Sequence, residues 1–193
     1  VPEVILAEGK TLEHALAVAR VFLDKSGRAI LSRVSLELEA RLRADFGAPI
    51  EQEWYTSARA VVMRKQGVER PCVGGRVGIL TAGTSDLPAA EEAEMLCQEM
   101  GCQVFAGYDM GVAGLHRLFG PLKEMLDEHQ VDVLIVAAGM DGALPSVVSG
   151  LADVPVIGLP TPVGYGLGGE GIAALYSMLQ TCAPGMAVVN VGN

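Results

Sequence analysis

The side chains able to do chemistry in this sequence gather in a few short strings. Thr81-Ala82-Gly83-Thr84-Ser85-Asp86 offers hydroxyls, backbone N–H groups and a carboxylate within six residues. A Gly/Thr/Ser turn running into a helix presents such groups to an anion, which makes Gly83, Thr84, Ser85 and Asp86 candidate ligands for phosphate or ribose. Ser85 or Asp86 as an ordinary N-cap explains the string equally well. No Walker lysine follows, and GxGxxG is absent. His116 and Arg117 stand side by side, an imidazole able to move a proton next to a guanidinium able to hold an anion. A helix start with a packed histidine and a solvated arginine remains the plainer alternative. Asp141 lies between Gly139 and Gly142, glycines that let a backbone approach a ligand closely. It could serve as base, hydrogen-bond acceptor or metal ligand, or simply cap the next helix. Tyr165 sits in the glycine-rich run 163–169, which reads as a lid or a subunit contact. Cys182, in Thr181-Cys182-Ala183-Pro184-Gly185, reads from position alone more readily as a small buried hydrophobe than as a nucleophile.

These strings need elements to position them. Residues 71–193 alternate short β-branched runs with helical patterns. The spacing predicts strands at 77–80, 103–106, 133–137, 154–158 and 187–191, and helices at 89–100, 115–128, 143–151 and 171–179. Apolar strands alternating with helices indicate a doubly wound parallel sheet covered on both faces, whose ligands sit beyond the carboxyl ends of the strands. The candidate strings at 81–86, 116–117, 139–142 and 165 all follow predicted strands. Residues 1–70 predict a smaller α/β unit: a strand at 3–7, a helix from Thr11 to about Lys25 ended by Gly27, a strand at 29–31, a helix at 36–46 capped by Ser35, and strands at 52–55 and 60–63. Pro71, Gly74 and Gly75 mark the seam, giving domains at 1–70 and 75–193.

Charge separates the same two parts. Residues 1–70 carry 11 Lys+Arg against 10 Asp+Glu, whereas residues 71–193 carry only Arg76, Arg117 and Lys123 against 13 acids. A net charge of −9 over the chain argues against a sequence-independent grip on nucleic acid. No apolar run approaches the ~20 residues of a membrane helix. Four cysteines without CxxC or zinc-like spacing fit a reduced compartment, so a cytoplasmic location is expected.

Gly83-Thr84-Ser85-Asp86, Gly114-Leu115-His116-Arg117 and Gly142-Ala143-Leu144-Pro145-Ser146 together resemble the phosphate loop, the Ser-Ala-His-Arg string and the glycine-rich loop of 5-aminoimidazole ribonucleotide (AIR) carboxylases and mutases. The departure is Met140-Asp141-Gly142, where that family has Ala-Ala-His. Over nearly its whole length the chain resembles the LarB family, the pyridinium-3,5-biscarboxylic acid mononucleotide synthases of nickel-pincer cofactor assembly. The strings Pro2-Glu3-Val4-Ile5, Glu8-Gly9-Lys10-Thr11, Ser32-Arg33-Val34-Ser35, Thr81 to Asp86, Val112 to Arg117, Ala138 to Ser146, Val163-Gly164-Tyr165-Gly166 and Thr181 to Gly185 carry that resemblance.

The resemblance implies a flavodoxin-like, AIR-carboxylase-like catalytic domain and an enzyme acting on nicotinic acid adenine dinucleotide. It implies carboxylation of the pyridinium ring by carbon dioxide or bicarbonate and cleavage of the phosphoanhydride to release AMP. It makes Cys182 the covalent nucleophile and Asp141 the base, with His116 as the alternative base. Gly83, Thr84, Ser85, Asp86, Arg117, Gly139, Gly142 and Tyr165 become the substrate ligands. It also implies a homo-oligomer, an octamer by analogy with the carboxylases. A domain of net −10 does not readily neutralise a dinucleotide, so magnesium, or Lys10 and Arg33 lent by the first domain, is expected to make up the deficit. Two other readings remain: an AIR carboxylase or mutase of purine biosynthesis, and a non-enzymatic nucleotide-binding regulator of the circadian phase modifier kind.

Overall fold

Residues 2–189 are described by a computed structural model, in two units, Val1–Pro71 and Cys72–Asn193. The first unit runs β1 (Ile5–Leu6), α1 (Leu12–Ser26), β2 (Arg28–Ser32), α2 (Leu36–Asp45), β3 (Ile50–Tyr55) and β4 (Ala60–Lys65). Thr11 starts α1 by accepting the His14 N–H on its hydroxyl, and Gly27, at φ 71°, ends it by returning its N–H to the Leu23 carbonyl. Ser35 caps α2 in the same way through the Leu38 N–H. The strands lie in the order β1-β2-β4-β3, with β1 parallel to β2 and the other pairs antiparallel. The exits of β1 and β2, the starts of both helices and the β3–β4 turn therefore share one end of this sheet. Ala15, Leu16, Ala19 and Leu23 of α1 and Leu38 and Leu42 of α2 bury against Leu31, Val61 and Met63.

The second unit runs β5 (Arg76–Thr81), α3 (Leu87–Glu99), β6 (Gln103–Gly107), α4 (His116–Lys123), β7 (Val133–Ala138), α5 (Ala143–Leu151), β8 (Val156–Pro160), α6 (Ile172–Leu179) and β9 (Met186–Val188). All five strands described are parallel, in the order β6-β5-β7-β8-β9. This is the flavodoxin-like winding, with reversal between β5 and β7. Val77 and Ile79 pack on α3 through Ala90, while Leu80, Leu134 and Val136 face α4, α5 and α6 on the other side. Both faces are covered, which is why these strands read as nearly continuous apolar runs. Among the described residues no helix is long and apolar enough to cross a membrane.

Among the boundaries that differ from the sequence expectation, three stand out. β8 begins at Val156 rather than 154, because Pro155 has no N–H to give and instead accepts the Leu134 N–H on its carbonyl. The helix expected over 115–128 is α-helical only to Lys123 and widens into a π turn over Glu124–Glu128. Its His129 N–H reaches back five residues to Glu124, downstream of Pro121, which contributes no donor. The last strand covers Met186–Val188, and positions 190 and 191 of the expected strand lie outside the described residues.

In the first unit, Glu53 of β3 joins Arg64 of β4 at 2.6 Å and Arg70 at 2.5 Å, and also accepts the Tyr55 hydroxyl. Burial alone would raise its pKa, but the hydrogen bonds from Arg70 and Arg64 outweigh it and hold the carboxyl at about 2. The folded value lies below the ordinary one. The stabilisation is therefore complete above pH ~4.5 and is lost as pH falls toward 2. We expect the gap in denaturation midpoint between the parent and Glu53→Gln to be widest above pH 5 and to close between pH 4.5 and 2. A gap independent of pH would show that the triad contributes through packing alone.

Candidate functional site

The winding reversal between β5 and β7 opens a crevice at the carboxyl ends of the strands, where open parallel sheets take their ligands. A cavity of about 260 Å³ lies there, walled by Ala82, Gly83, Ser85 and Asp86 after β5, Gly111 to Ala113 after β6, Ala138 to Asp141 with Ala143 and Leu144 after β7, and Val163 after β8. Its lining holds two carboxylates and no lysine or arginine. An anion seated in it would be met by backbone N–H groups and by Ser85.

Asp86 is 3% exposed and directs both oxygens inward. One accepts the Gly83 N–H at 2.9 Å, the other the Thr161 hydroxyl at 2.6 Å. Thr161 is itself buried at the exit of β8. Asp86 thus clamps the β5 loop to the β8 loop and shapes the Gly83 turn. Ser85 faces the cavity, while Thr84 is exposed outside its lining. The exit of β6 is fixed to the same loop: Asp109 donates its N–H to the Thr81 hydroxyl and Met110 donates to the Thr81 carbonyl. At Gly111 a Cβ would stand 2.6 Å from the Ala82 carbonyl oxygen, so any side chain there would force the two loops apart.

Gly139 and Gly142 are small for a different reason than the sequence suggested. A Cβ on Gly139 would meet the Val163 carbonyl oxygen at 2.4 Å, and one on Gly142 the Cα of Ala174 in α6 at 2.6 Å. Their missing side chains allow loop to pack on loop and loop on helix. Between them Met140 takes φ 55°, a conformation uncommon outside glycine, held by its N–H to the Val163 carbonyl at 2.6 Å. Asp141 follows, exposed on the cavity wall, with one oxygen 3.4 Å from the Ala143 N–H. Of the expected catalytic residues it is the one this cavity includes.

His116 opens α4 and is exposed, outside the cavity lining. Arg117, beside it, pairs with Asp109, whose backbone stands at φ 60°. Tyr165 is 82% exposed and also lies outside the lining. Lys10 and Arg33 belong to the first unit and border a cavity of their own. Cys182 is exposed in the turn between α6 and β9. Met186 pairs with Val156 at the start of β8, and the Pro184 carbonyl accepts the Ser149 hydroxyl near the end of α5. That turn is therefore at the amino end of the parallel strands, opposite the cavity. A five-residue strand at ~3.3 Å per residue separates the two ends by about 13 Å. Within one chain, Asp141 and Cys182 do not meet.

Two other titratable groups are set aside by their surroundings. Burial pushes the Cys97 thiol up to about 11, so on α3 it remains a protonated hydrophobe in the cluster with Val77 and Ile79 of β5. Burial and the hydrogen bond to Glu94 raise the Tyr108 phenol well above its usual range, leaving it a donor. Among the described residues no three His, Cys, Asp or Glu side chains converge to hold a metal ion. Sequence reasoning missed Thr161 as a partner of Asp86. It stood just beyond a predicted strand, the position to examine, but the register bringing it to a residue 75 positions away was not visible.

Comparison with known proteins matches residues 76–193 to the AIR carboxylase family and residues 1–65 to the LarB/PurE-like N-terminal domain. An uncharacterized protein of Methanocaldococcus jannaschii is 39% identical over all of this chain and 74% of its own length. An N5-carboxyaminoimidazole ribonucleotide mutase of the same organism is 33% identical over 59% of this chain and 67% of its own. The mutase of that name from Thermotoga maritima is 30% identical over 54% and 59%.

The clamp gives a direct expectation. Thr161→Val removes the donor and leaves a buried carboxylate one partner short, which costs about 1–3 kcal/mol. Thr161→Ser should retain most of the stability. Chemical denaturation compares the three, and equal midpoints for Val and parent would show that the hydrogen bond does not hold the loops together.

Proposed function

The chain belongs to the AIR carboxylase family and carries a LarB/PurE-like N-terminal domain ahead of the catalytic one, and on that premise we propose a pyridinium carboxylase of the LarB kind. The family makes it an enzyme of carboxylase or mutase type. The substrate in this reading is nicotinic acid adenine dinucleotide, carboxylated at ring carbon 5 and cleaved at the phosphoanhydride to release AMP. One observation carries it: a chain with the LarB pair of domains presents Asp141, not an imidazole, on the wall of its switch-point cavity.

A cationic pyridinium is electron-poor at carbon 5 and does not attack carbon dioxide. Addition of the Cys182 thiolate to carbon 6 forms a C–S bond and leaves a neutral dienamine, whose electrons push out through carbon 5. Carbon 5 then bonds carbon dioxide. Asp141 removes the carbon 5 proton, the electron pair re-forms the ring double bond, and the C–S bond breaks to return the thiolate. The phosphoanhydride is hydrolysed separately, water adding to phosphorus as AMP leaves. Because Cys182 stands at the far end of its own sheet, the thiol that reaches a ring in the cavity comes from a second copy. Self-association is therefore a requirement of this chemistry. The exposed apolar residues Ile172, Tyr176 and Leu179 on one side of α6 are a surface such contact would cover.

The similarity to N5-carboxyaminoimidazole ribonucleotide mutases supports a second reading, transfer of a carboxyl group on an aminoimidazole ribonucleotide. Incubating the protein with each substrate and bicarbonate separates the two by mass spectrometry. We expect the dinucleotide to yield a mononucleotide heavier by one carbon dioxide, together with AMP. Cys182→Ser should reduce this to background while binding the dinucleotide within a few-fold of the parent. Asp141→Asn should slow turnover by about 10²–10⁴-fold, the usual contribution of a general base. Conversion of the aminoimidazole substrate alone would overturn the pyridinium reading.

A further inference from the structure

The first unit contains a cavity of about 230 Å³ at the end of its sheet where the exits of β1 and β2 and the β3–β4 turn converge. Lys10, Arg33 and Arg59 stand around it with one carboxylate, Glu8. They come from three loops: Glu8 and Lys10 after β1, Arg33 after β2, Arg59 just before β4. Arg33 joins Glu8 at 2.8 Å, and that hydrogen bond, helped by the charges of Arg33 and Arg59, holds the Glu8 carboxyl below its ordinary range. Lys10 is anchored through its ammonium to the Leu6 carbonyl at 2.6 Å. The lining is thus formally +2.

Backbone geometry adds to this charge. α1, of 15 residues, and α2, of 10, both begin at this end, behind Thr11 and Ser35, and Ser35 is itself part of the wall. Helix N-termini carry partial positive charge and favour anions. Arg33 and Arg59 both hold left-handed backbone, at φ 55° and 50°, and the Val34 N–H to Arg59 carbonyl bond at 2.7 Å ties their loops together. Two non-glycine residues in that region within one small patch is the kind of local strain that collects at ligand sites.

We propose that this cavity is a phosphoryl-binding site belonging to the first unit itself. A formal +2 matches a phosphoryl dianion better than a single carboxylate, and two guanidiniums supply the planar forks that meet phosphate oxygens in pairs. At about 230 Å³ the space is smaller than the ~300–1,000 Å³ of a pocket enclosing a whole small-molecule ligand, so it takes the phosphate end of a molecule whose remainder lies outside. Arg59 is the member that the sequence strings did not single out. The site stands whatever reaction the second unit performs.

Inorganic pyrophosphate, titrated calorimetrically into the full chain, tests it without any turnover. The parent should bind, and Arg59→Gln and Lys10→Gln should each bind about 3- to 10-fold more weakly, with a smaller difference at high salt. Glu8→Gln removes the competing carboxylate and should bind more tightly. Thermal midpoints without pyrophosphate check that the variants fold, and Arg59→Lys, which keeps the charge, covers the case in which Arg59→Gln does not. No binding by the parent, or affinities equal within twofold across Arg59→Gln, Lys10→Gln and Glu8→Gln, would overturn the assignment. Failure of the pyridinium reaction would leave it untouched.

Discussion

The strands described in the second sheet all run the same way, and that constraint decides which of its residues can meet. The order β6-β5-β7-β8-β9 brings the loops after β5, β6, β7 and β8 to one end and sends the turn before β9 to the other. Ser85, Asp141 and Val163 share a cavity because each follows a strand. Cys182 is kept from it because it precedes one. Close packing then leaves the site little freedom. Gly111, Gly139 and Gly142 each face backbone atoms of a neighbouring segment within 3 Å of where a Cβ would stand, and interiors packed at crystal-like density do not absorb such an intrusion. The Asp86 clamp adds a buried, satisfied polar link between two of the loops.

Charge separates the two units. The cavity of the second is lined by two carboxylates, one hydroxyl, backbone and apolar side chains, without a cationic side chain. The first unit, nearly neutral overall, gathers three cations at one end of its sheet.

Much of the fold was legible because periodicity and caps act locally. α5 occupies 143–151 as the pattern required, and Thr11, Gly27 and Ser35 cap their helices as their types dictate. The site was legible only in part. Strand ends located Ser85 and Asp141, yet the inward turn of Asp86 depends on Thr161, reached through sheet register rather than sequence distance. Gly139 and Gly142 read as room for a ligand; neighbouring segments pack where their side chains would stand, and Gly139 also lines the cavity. Arg59 belonged to none of the candidate strings, and lines one cavity with Arg33 and Lys10 because the β3–β4 turn comes to the same end of the sheet. The expectation that Cys182 shares a site with Asp141 came from motifs, which carry no information about which copy of the chain provides each residue.

Subunit complementation tests that division most directly. Cys182→Ser, expected to be inactive alone, and Asp141→Asn, expected to be strongly slowed, are mixed under conditions that exchange subunits, and carboxylation is followed together with the formation of mixed oligomers. Mixed oligomers that regain activity, by joining an intact Asp141 cavity to an intact Cys182 from another chain, are the predicted result. Mixed oligomers that form and stay inactive would contradict a site shared between copies.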